Sequence, residues 1–253
     1  MGLLLKNRVA LVTGAGAGIG RGIARAFVRA GAKVVIADYS DASELAAKLG
    51  ATYVNCDVTN EDQVKDALQT AVDTYGRLDI VINNAGVFAD YKSIAESGKK
   101  DFDFCMSVNV MGAAYAMKHA NTLMNEGGRI VNTASAAGLI GAVNLGSYVA
   151  SKHAIVGLSK SAALEFSDKK IRVNCVCPTT VNTPMAHQEG GEFMIRAESL
   201  ANPSGRICEP QEVAALIHFL ASNECGFING QAIMLDGGAS AGTTEKAFEK
   251  LMS

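Results

Sequence analysis

The chain carries no excess of positive charge. Lys and Arg number 23 against 25 Asp and Glu, a net charge of −2, which argues against the basic face a nucleic-acid binder needs. Its six cysteines, Cys56, Cys105, Cys175, Cys177, Cys208 and Cys225, include no C-x-x-C pair, and no histidine stands at ligand spacing. A structural zinc site is therefore not expected. No apolar run approaches the roughly 18 residues of a membrane span. Lys6 and Arg8 follow the apolar residues 1–5 at once, so no signal-peptide core forms. Linkers, repeats and low-complexity segments are missing too. These absences lead to the expectation of a soluble protein of a reducing cytoplasm, one domain over 1–253, with no metal, nucleic acid or membrane partner.

What is there is globular: 49% hydrophobic and 19% charged residues over 253 positions. Short β-branched runs alternate with longer helical stretches. Strands are expected over 8–12, 33–37, 52–55, 78–83, 129–133, 171–176 and 231–235. Helices are expected over 19–30, 41–49, 61–75 (capped from 57–60), 100–125 and 147–167, with another from near Pro210. Strands that are apolar almost throughout, alternating with helices, imply a parallel sheet covered on both faces. Cys175 and Cys177, two apart on a strand, share one face and read as core thiols. Residues 178–205 show few regular signals. A segment that long in a compact domain is usually functional, so 183–205 is read as an inserted lid or substrate loop. In the tail from Ala239, Phe248, Leu251 and Met252 recur at helical spacing, as a segment that docks on a neighbouring subunit or simply frays.

T-G-A-G-A-G-I-G (13–20) follows the first strand directly and opens the first helix. Glycines there allow a sharp turn and the approach of a pyrophosphate to free N–H groups at a helix N-terminus. Asp38 ends the second strand, 18 residues after Gly20. A carboxylate so placed accepts hydrogen bonds from an adenosine ribose and repels a 2′-phosphate. Neither Ala17 nor Tyr39 offers that phosphate a positive charge, so NAD is expected over NADP. Asp41 and Ser43 are available for capping the helix that follows, which frees Asp38 for the ribose.

Y-V-A-S-K places Tyr148 and Lys152 four residues apart, on one face of a helix. Alone, such a pair is an ordinary surface contact. Alone, Ser135 is a turn serine, Asn109 a helix-interrupting residue, and Asn83 and Asn84 turn residues. In order along one α/β chain, with the Gly loop and Asp38, they change meaning. The chain then resembles a short-chain dehydrogenase/reductase from residue 6 to about 238.

That resemblance implies a Rossmann-type, doubly wound, parallel seven-stranded sheet with helices on both faces, usually in a homotetramer or homodimer. It implies a catalytic set of Asn109, Ser135, Tyr148 and Lys152. It implies cofactor contacts from Gly14, Gly18, Ile19, Gly20, Asp38 and Tyr39. It assigns the adenine side to Cys56, Asp57 and Val58, with Asp57 on the adenine amino group. Asn84, Ala85 and Gly86 would line the cofactor, and Pro178, Val181 and Thr183 would hold the nicotinamide carboxamide. One position departs from the family: Thr179 stands where a glycine is usual. Either this loop keeps an ordinary φ, or it sits differently over the nicotinamide.

These residues suit hydride transfer. A phenol of ordinary pKa near 10 is a poor base at neutral pH. Lys152, one turn along, would favour the phenolate and let Tyr148 act as general base or acid. Ser135 would hold the substrate oxygen, Asn109 would help organise a water chain from Lys152, and the small Ala150 and Ser151 would leave room for the cofactor. The substrate wall is expected from 87–97, 136–146 and 183–205, with Ser135, Ala137, Val143 and Tyr148 as contacts. Its second stretch, including Leu139 and Ile140, is small and apolar, which points to a hydrophobic secondary alcohol or ketone. His187, in the substrate loop, is a candidate contact; His119, His153 and His218 are assigned no chemistry. A carrier- or coenzyme-A-linked 3-oxoacyl reductase is the alternative, but 183–205 holds only Arg196 as a cation to meet a phosphate. A non-catalytic NAD sensor would be expected to lack the Tyr or the Lys. A methyltransferase would have no use for Y-V-A-S-K.

Overall fold

A computed structural model describes residues 4–188, 191–242 and 245. Phe248, Leu251 and Met252 lie outside the described residues. Seven parallel strands form one sheet in the order β3-β2-β1-β4-β5-β6-β7. They are β1 (Val9–Thr13), β2 (Lys33–Asp38), β3 (Thr52–Asn55), β4 (Ile80–Asn83), β5 (Arg129–Thr133), β6 (Arg172–Pro178) and β7 (Ala232–Leu235). The helices are α1 (Gly18–Arg29), α2 (Ser43–Leu49), α3 (Glu61–Tyr75), α4 (Lys99–Cys105), α5 (Gly112–Leu123), α6 (Gly146–Glu165), α7 (Gly191–Ala201) and α8 (Pro210–Ala221). The expected seven-stranded, doubly wound architecture is the one observed.

β1, β4 and β6 are buried along their whole length because both faces are covered. On one face Leu11, Val81 and Ile130 meet α3, α5 and α6 through Leu68, Ala120 and Ile155. On the other, Val12, Ile36 and Ile82 meet α1 and α8 through Phe27 and Ile217. The alternation of side chains along a strand delivers the two sets from alternate residues of the same strands. Cys175 and Cys177 both fall in the first cluster, as core thiols.

Caps sit where the residue types allow them. The Asn60 side chain accepts the N–H groups of Asp62 and Gln63 to start α3. Asp41 takes the Ser43 N–H at 2.9 Å, next to the start of α2.

Two expectations need correction. The helix expected over 100–125 is three pieces: α4, a π-helical segment Met106–Met111, and α5. The side chain of Asn109, inside the π segment, bonds across to other elements, and such bulges recur at functional sites. The segment 178–205 also holds more order than its sequence suggests, a 3₁₀ turn Pro184–His187 and the eleven-residue helix α7. α7 has one buried residue, Gly191, so it lacks the strong apolar stripe that marks a helix in sequence.

The strand order reverses between β1 and β4. Ligands of open α/β sheets bind outside the carboxyl ends of the strands at this point, and the candidate residues converge there.

Candidate active site

The Gly loop crosses the carboxyl end of β1. Gly14 and Gly18 adopt φ of 61° and 49°, a region side chains disfavour. A Cβ on Gly14 would stand 2.8 Å from Ala85 Cα, and one on Gly20 would stand 2.1 Å from the Gly14 carbonyl. These glycines let α1, the loop and the β4 exit close on one another. Thr13 Oγ1 accepts the N–H groups of Asn84 (3.0 Å) and Ala85 (3.1 Å), and the Asn84 amide donates to the Thr13 and Gly14 carbonyls at 3.1 Å each. The result is a bare helix N-terminus facing a cleft, the cradle a pyrophosphate requires.

Asp38 Oδ2 accepts the Gly16 N–H at 2.7 Å and Oδ1 the Ser40 N–H at 2.9 Å. The carboxylate is thus aimed at the loop. Tyr39 beside it is largely exposed. Asp57 Oδ1 accepts from the Thr59 N–H and hydroxyl. Cys56 is buried beneath, and its thiol is pushed up to about 11, chiefly by burial and then by Asp57 and Asp38. Two carboxylates therefore set a negative field at this end of the cleft. The side chains of Cys56 and Val58 are buried in the core, and Val58 meets Gly112 at the start of α5.

At the other end lies a cavity of about 570 Å³. Gly14, Gly18, Ile19, Asn84, Ala85, Gly86, Pro178, Val181 and Thr183 line it together with Ser135, Ala137, Tyr148 and Lys152. One continuous space joins the Gly loop to the tyrosine and the lysine. Ser135 caps a 3₁₀ turn (Ala136–Gly138), accepting the Ala137 N–H at 3.1 Å. Lys152 is buried, its Nζ donates to the Thr133 carbonyl at 2.9 Å, and it lies 5.5 Å from the centre of the Tyr148 ring. Phe88 packs edge-on against that ring at 6.3 Å.

The electrostatics differ from the expectation that Lys152 would lower the phenol. Burial pushes Tyr148 up to about 12; its hydrogen bond with Ser135 pulls the other way but does not prevail. Burial also brings Lys152 down to about 8. The lysine's hydrogen-bond partner is a neutral carbonyl, so little sustains its charge.

Asn109 is buried and committed. Its Oδ1 accepts the Val87 N–H at 2.8 Å, and its amide donates to the Val87 carbonyl (2.8 Å) and to Ser151 Oγ (2.9 Å). Those bonds fix the β4 exit against α6. A Cβ on Gly86 would stand 3.3 Å from both Asn109 Oδ1 and Lys152 Nζ. Ser151 is buried and bonds Asn109 and the Tyr148 carbonyl, so it ties α6 down instead of clearing space for a cofactor.

Val143 does not reach the cavity: it is 82% exposed, beside Asn144 at φ 61°, where the chain turns outward. Leu139 is likewise outside the lining. His187 bonds Asn182 at 2.8 Å and is not a lining residue. Thr179 keeps an ordinary φ, since the positive values at non-glycine residues are those of Asn7, Asn144 and Lys170 among the described residues. Its N–H is held by the Leu235 carbonyl at 3.2 Å. Sequence reasoning missed Tyr91, Met194, Glu198 and Ala239 as individual lining residues. The stretches 87–97 and 183–205 had marked the region for the first three; nothing local marked Ala239.

The fold and this site define a class, the dinucleotide-binding α/β proteins with a Tyr–Lys pair beside the cofactor cleft. Comparison with known proteins narrows it. Residues 14–240 match the family model described as enoyl-(acyl carrier protein) reductase. The chain is 43% identical to a mitochondrial borneol dehydrogenase of Lavandula x intermedia, over 93% of this chain and 92% of that protein. It is 38% identical to a cyclohexanol dehydrogenase of Acinetobacter sp. (strain SE19), over 91% and 94%. The ligand-free structure of Thermoplasma acidophilum aldohexose dehydrogenase superposes with a TM-score of 0.87 at 37% identity, covering 94% of this chain and 96% of that one. The chain belongs to the short-chain dehydrogenase/reductase family, whose dehydrogenases use a nicotinamide cofactor.

Proposed function

We propose that the protein is an NAD-dependent oxidoreductase that interconverts a secondary alcohol and its ketone, acting as one catalytic domain over 1–253 with 183–205 as its substrate segment. The observation that carries this reading is the single cavity that joins the Gly-loop cradle to Ser135, Tyr148 and Lys152. The tight packing of Gly14 and Gly20 against Ala85, Asn84 and the loop's own backbone supports a turn that leaves the N-terminus of α1 open to a dinucleotide. Gly14, Gly18, Ile19 and Gly20 would hold its pyrophosphate, Asp38 and Tyr39 its adenosine ribose, and the backbone at Cys56, Asp57 and Val58 its adenine. Asn84, Ala85, Gly86, Pro178, Val181 and Thr183 would flank the nicotinamide. A nicotinamide dinucleotide bound there supplies the hydride acceptor or donor.

The chain's own residues do the rest. Ser135 holds the substrate oxygen. Tyr148 takes the hydroxyl proton during oxidation and returns it during reduction. Lys152, when charged, favours the phenolate form of Tyr148 that accepts this proton, and would hold the cofactor ribose. Asn109 keeps the β4 exit and α6 in register around them. Asp38, at the ribose end, disfavours a 2′-phosphate and supports NAD over NADP.

The mainly apolar lining supports a hydrophobic substrate, and cyclohexanol and borneol, named for two relatives, are natural first tests. A carrier-linked substrate fits less well, since Arg196 is the only Lys or Arg in 183–205. Exposed Phe104, Met106 and Met111 along α4 and the π segment, with Leu164 on α6, support a homotetramer or homodimer. Six free cysteines support a reducing, cytoplasmic setting. Among the described residues, no helix is long and apolar enough to cross a membrane.

The test is nicotinamide reduction, followed by absorbance with NAD or NADP and a panel of secondary alcohols, with Tyr148→Phe alongside. Turnover is expected with NAD, is weaker with NADP, and falls at least about a thousandfold in the variant. Preference for NADP would sink the role of Asp38 alone. Undiminished turnover in Tyr148→Phe would sink the mechanism.

A further inference from the structure

Glu198 is the one acidic residue among those lining the 570 Å³ cavity. It projects from α7 and is half-buried. Its Oε2 accepts the Thr180 N–H at 2.7 Å. Among the described residues the carboxylate has no other hydrogen bond and no ion-pair partner. Tyr91 lines the same part of the wall, and the Glu198 charge reaches far enough to add to the upward push on both Tyr91 and Tyr148.

The placement is odd for a residue that only ties a loop. A neutral amide carbonyl would accept the Thr180 N–H as well. A negative charge near the base works against the phenolate that oxidation requires. It also carries a desolvation cost when an apolar substrate fills the cavity, unless the substrate brings a hydrogen-bond donor. A cationic donor would itself have to shed water among walls of alanine, glycine, isoleucine and methionine, so a neutral hydroxyl fits better.

We propose that the substrate carries a second hydroxyl near the carbinol that is oxidised, and that Glu198 Oε1 accepts its hydrogen bond. This rests on the alcohol dehydrogenase reading above and makes it narrower: a hydroxylated alicyclic alcohol rather than a plain one. A site built to pair with a substrate hydroxyl discriminates strongly against the analogue that lacks it.

The test compares kcat/KM for cyclohexanol with that for each isomeric cyclohexanediol, in the wild-type enzyme and in Glu198→Met. The variant keeps the length of the side chain but removes both oxygens, so it neither accepts from nor donates to a substrate hydroxyl. The wild type is expected to favour at least one diol by about tenfold or more, and Glu198→Met to bring that ratio close to unity. A purely structural role would lower both substrates together and leave the ratio in place. Either an unchanged ratio in the variant or no diol preference in the wild type overturns the proposal while leaving the alcohol dehydrogenase reading intact. Failure to oxidise any alcohol or diol in the panel counts against that reading first, and the Glu198 proposal falls with it.

Discussion

Burial sends the Tyr148 phenol up and the Lys152 ammonium down, so both groups resist charge in the folded protein. For Lys152 this has a thermodynamic sign. Its folded value, about 8, lies below its ordinary 10.5. The unfolded chain binds more protons between these values, so stability rises with pH across that window, and the full cost is present below it. Lys152→Met should therefore stabilise the protein at pH 7, by on the order of 1–2 kcal/mol once the lost hydrogen bond to the Thr133 carbonyl is subtracted. The gain should shrink as pH rises through the window, and activity should be lost. Urea denaturation at neutral and alkaline pH checks this; a variant less stable at pH 7 would show that the carbonyl contact outweighs the buried charge. Alcohol oxidation should rise with pH through about 8 as the Tyr148–Lys152 pair sheds its first proton. The pair itself was legible in Y-V-A-S-K. The direction of its shifts was not, because desolvation depends on what surrounds a residue rather than on what adjoins it in sequence.

At the scale of elements, the site depends on how closely the 3₁₀ turn after Ser135 sits on α6. Gly138 makes that contact: a Cβ there would stand 2.7 Å from the Lys152 carbonyl and 3.3 Å from Val156 Cγ2. The Gly138 N–H also bonds the Ser135 carbonyl at 2.8 Å. Gly138→Ala must therefore separate Ser135 from Lys152. We expect a loss of about 1–3 kcal/mol in stability from overpacking, and a kcat loss of tenfold to about a hundredfold from misplacement. Thermal melts and steady-state kinetics on one preparation separate the two; an unimpaired kcat would show that the turn yields without moving Ser135. Nothing in A-S-A-A-G-L marks this glycine, because the backbone it touches is fourteen residues away along the chain. The π segment was hidden for a related reason. Its sequence, M-S-V-N-V-M, is compatible with a plain helix, and the bonds from Asn109 to Val87 and Ser151 come from other elements.

Across the whole molecule, the amino ends of the strands are held by charge, opposite the ends that carry the site. Asp79 is 2% exposed in its side chain. It accepts the Val9 N–H at 2.9 Å and pairs with Arg77 and Arg8. Burial pushes its carboxyl up, but the Arg77, Val9 and Arg8 hydrogen bonds outweigh that and leave it below the usual 3.8. The stabilisation is present above pH 3.8 and is lost as pH falls through the lower, folded value. Asp79→Asn should cost about 1–3 kcal/mol by removing the charge-assisted hydrogen bonds from Arg77 and Arg8. It should also flatten the acid limb of the stability curve, with little effect on KM because the site lies at the other edge. Chemical denaturation across acidic pH is the check, and an unaltered acid limb would show that other carboxylates control acid unfolding.

The order of strands and helices, the glycine cradle and the Tyr148–Lys152 spacing were determined by the sequence itself, each by a local rule: a period of two or of 3.6, a φ only glycine adopts readily, or an i to i+4 spacing. Asp38 was marked by its distance from the Gly loop, and Ser135 only by the family resemblance. The tertiary structure alone decided that Asn109 bonds Val87 and Ser151, that Val143 turns out to solvent, and that α7 brings Glu198 to the wall. It also decided that burial outweighs the Ser135 hydrogen bond at Tyr148. These depend on distances between residues far apart in the chain and on the water excluded between them, neither of which any local pattern encodes.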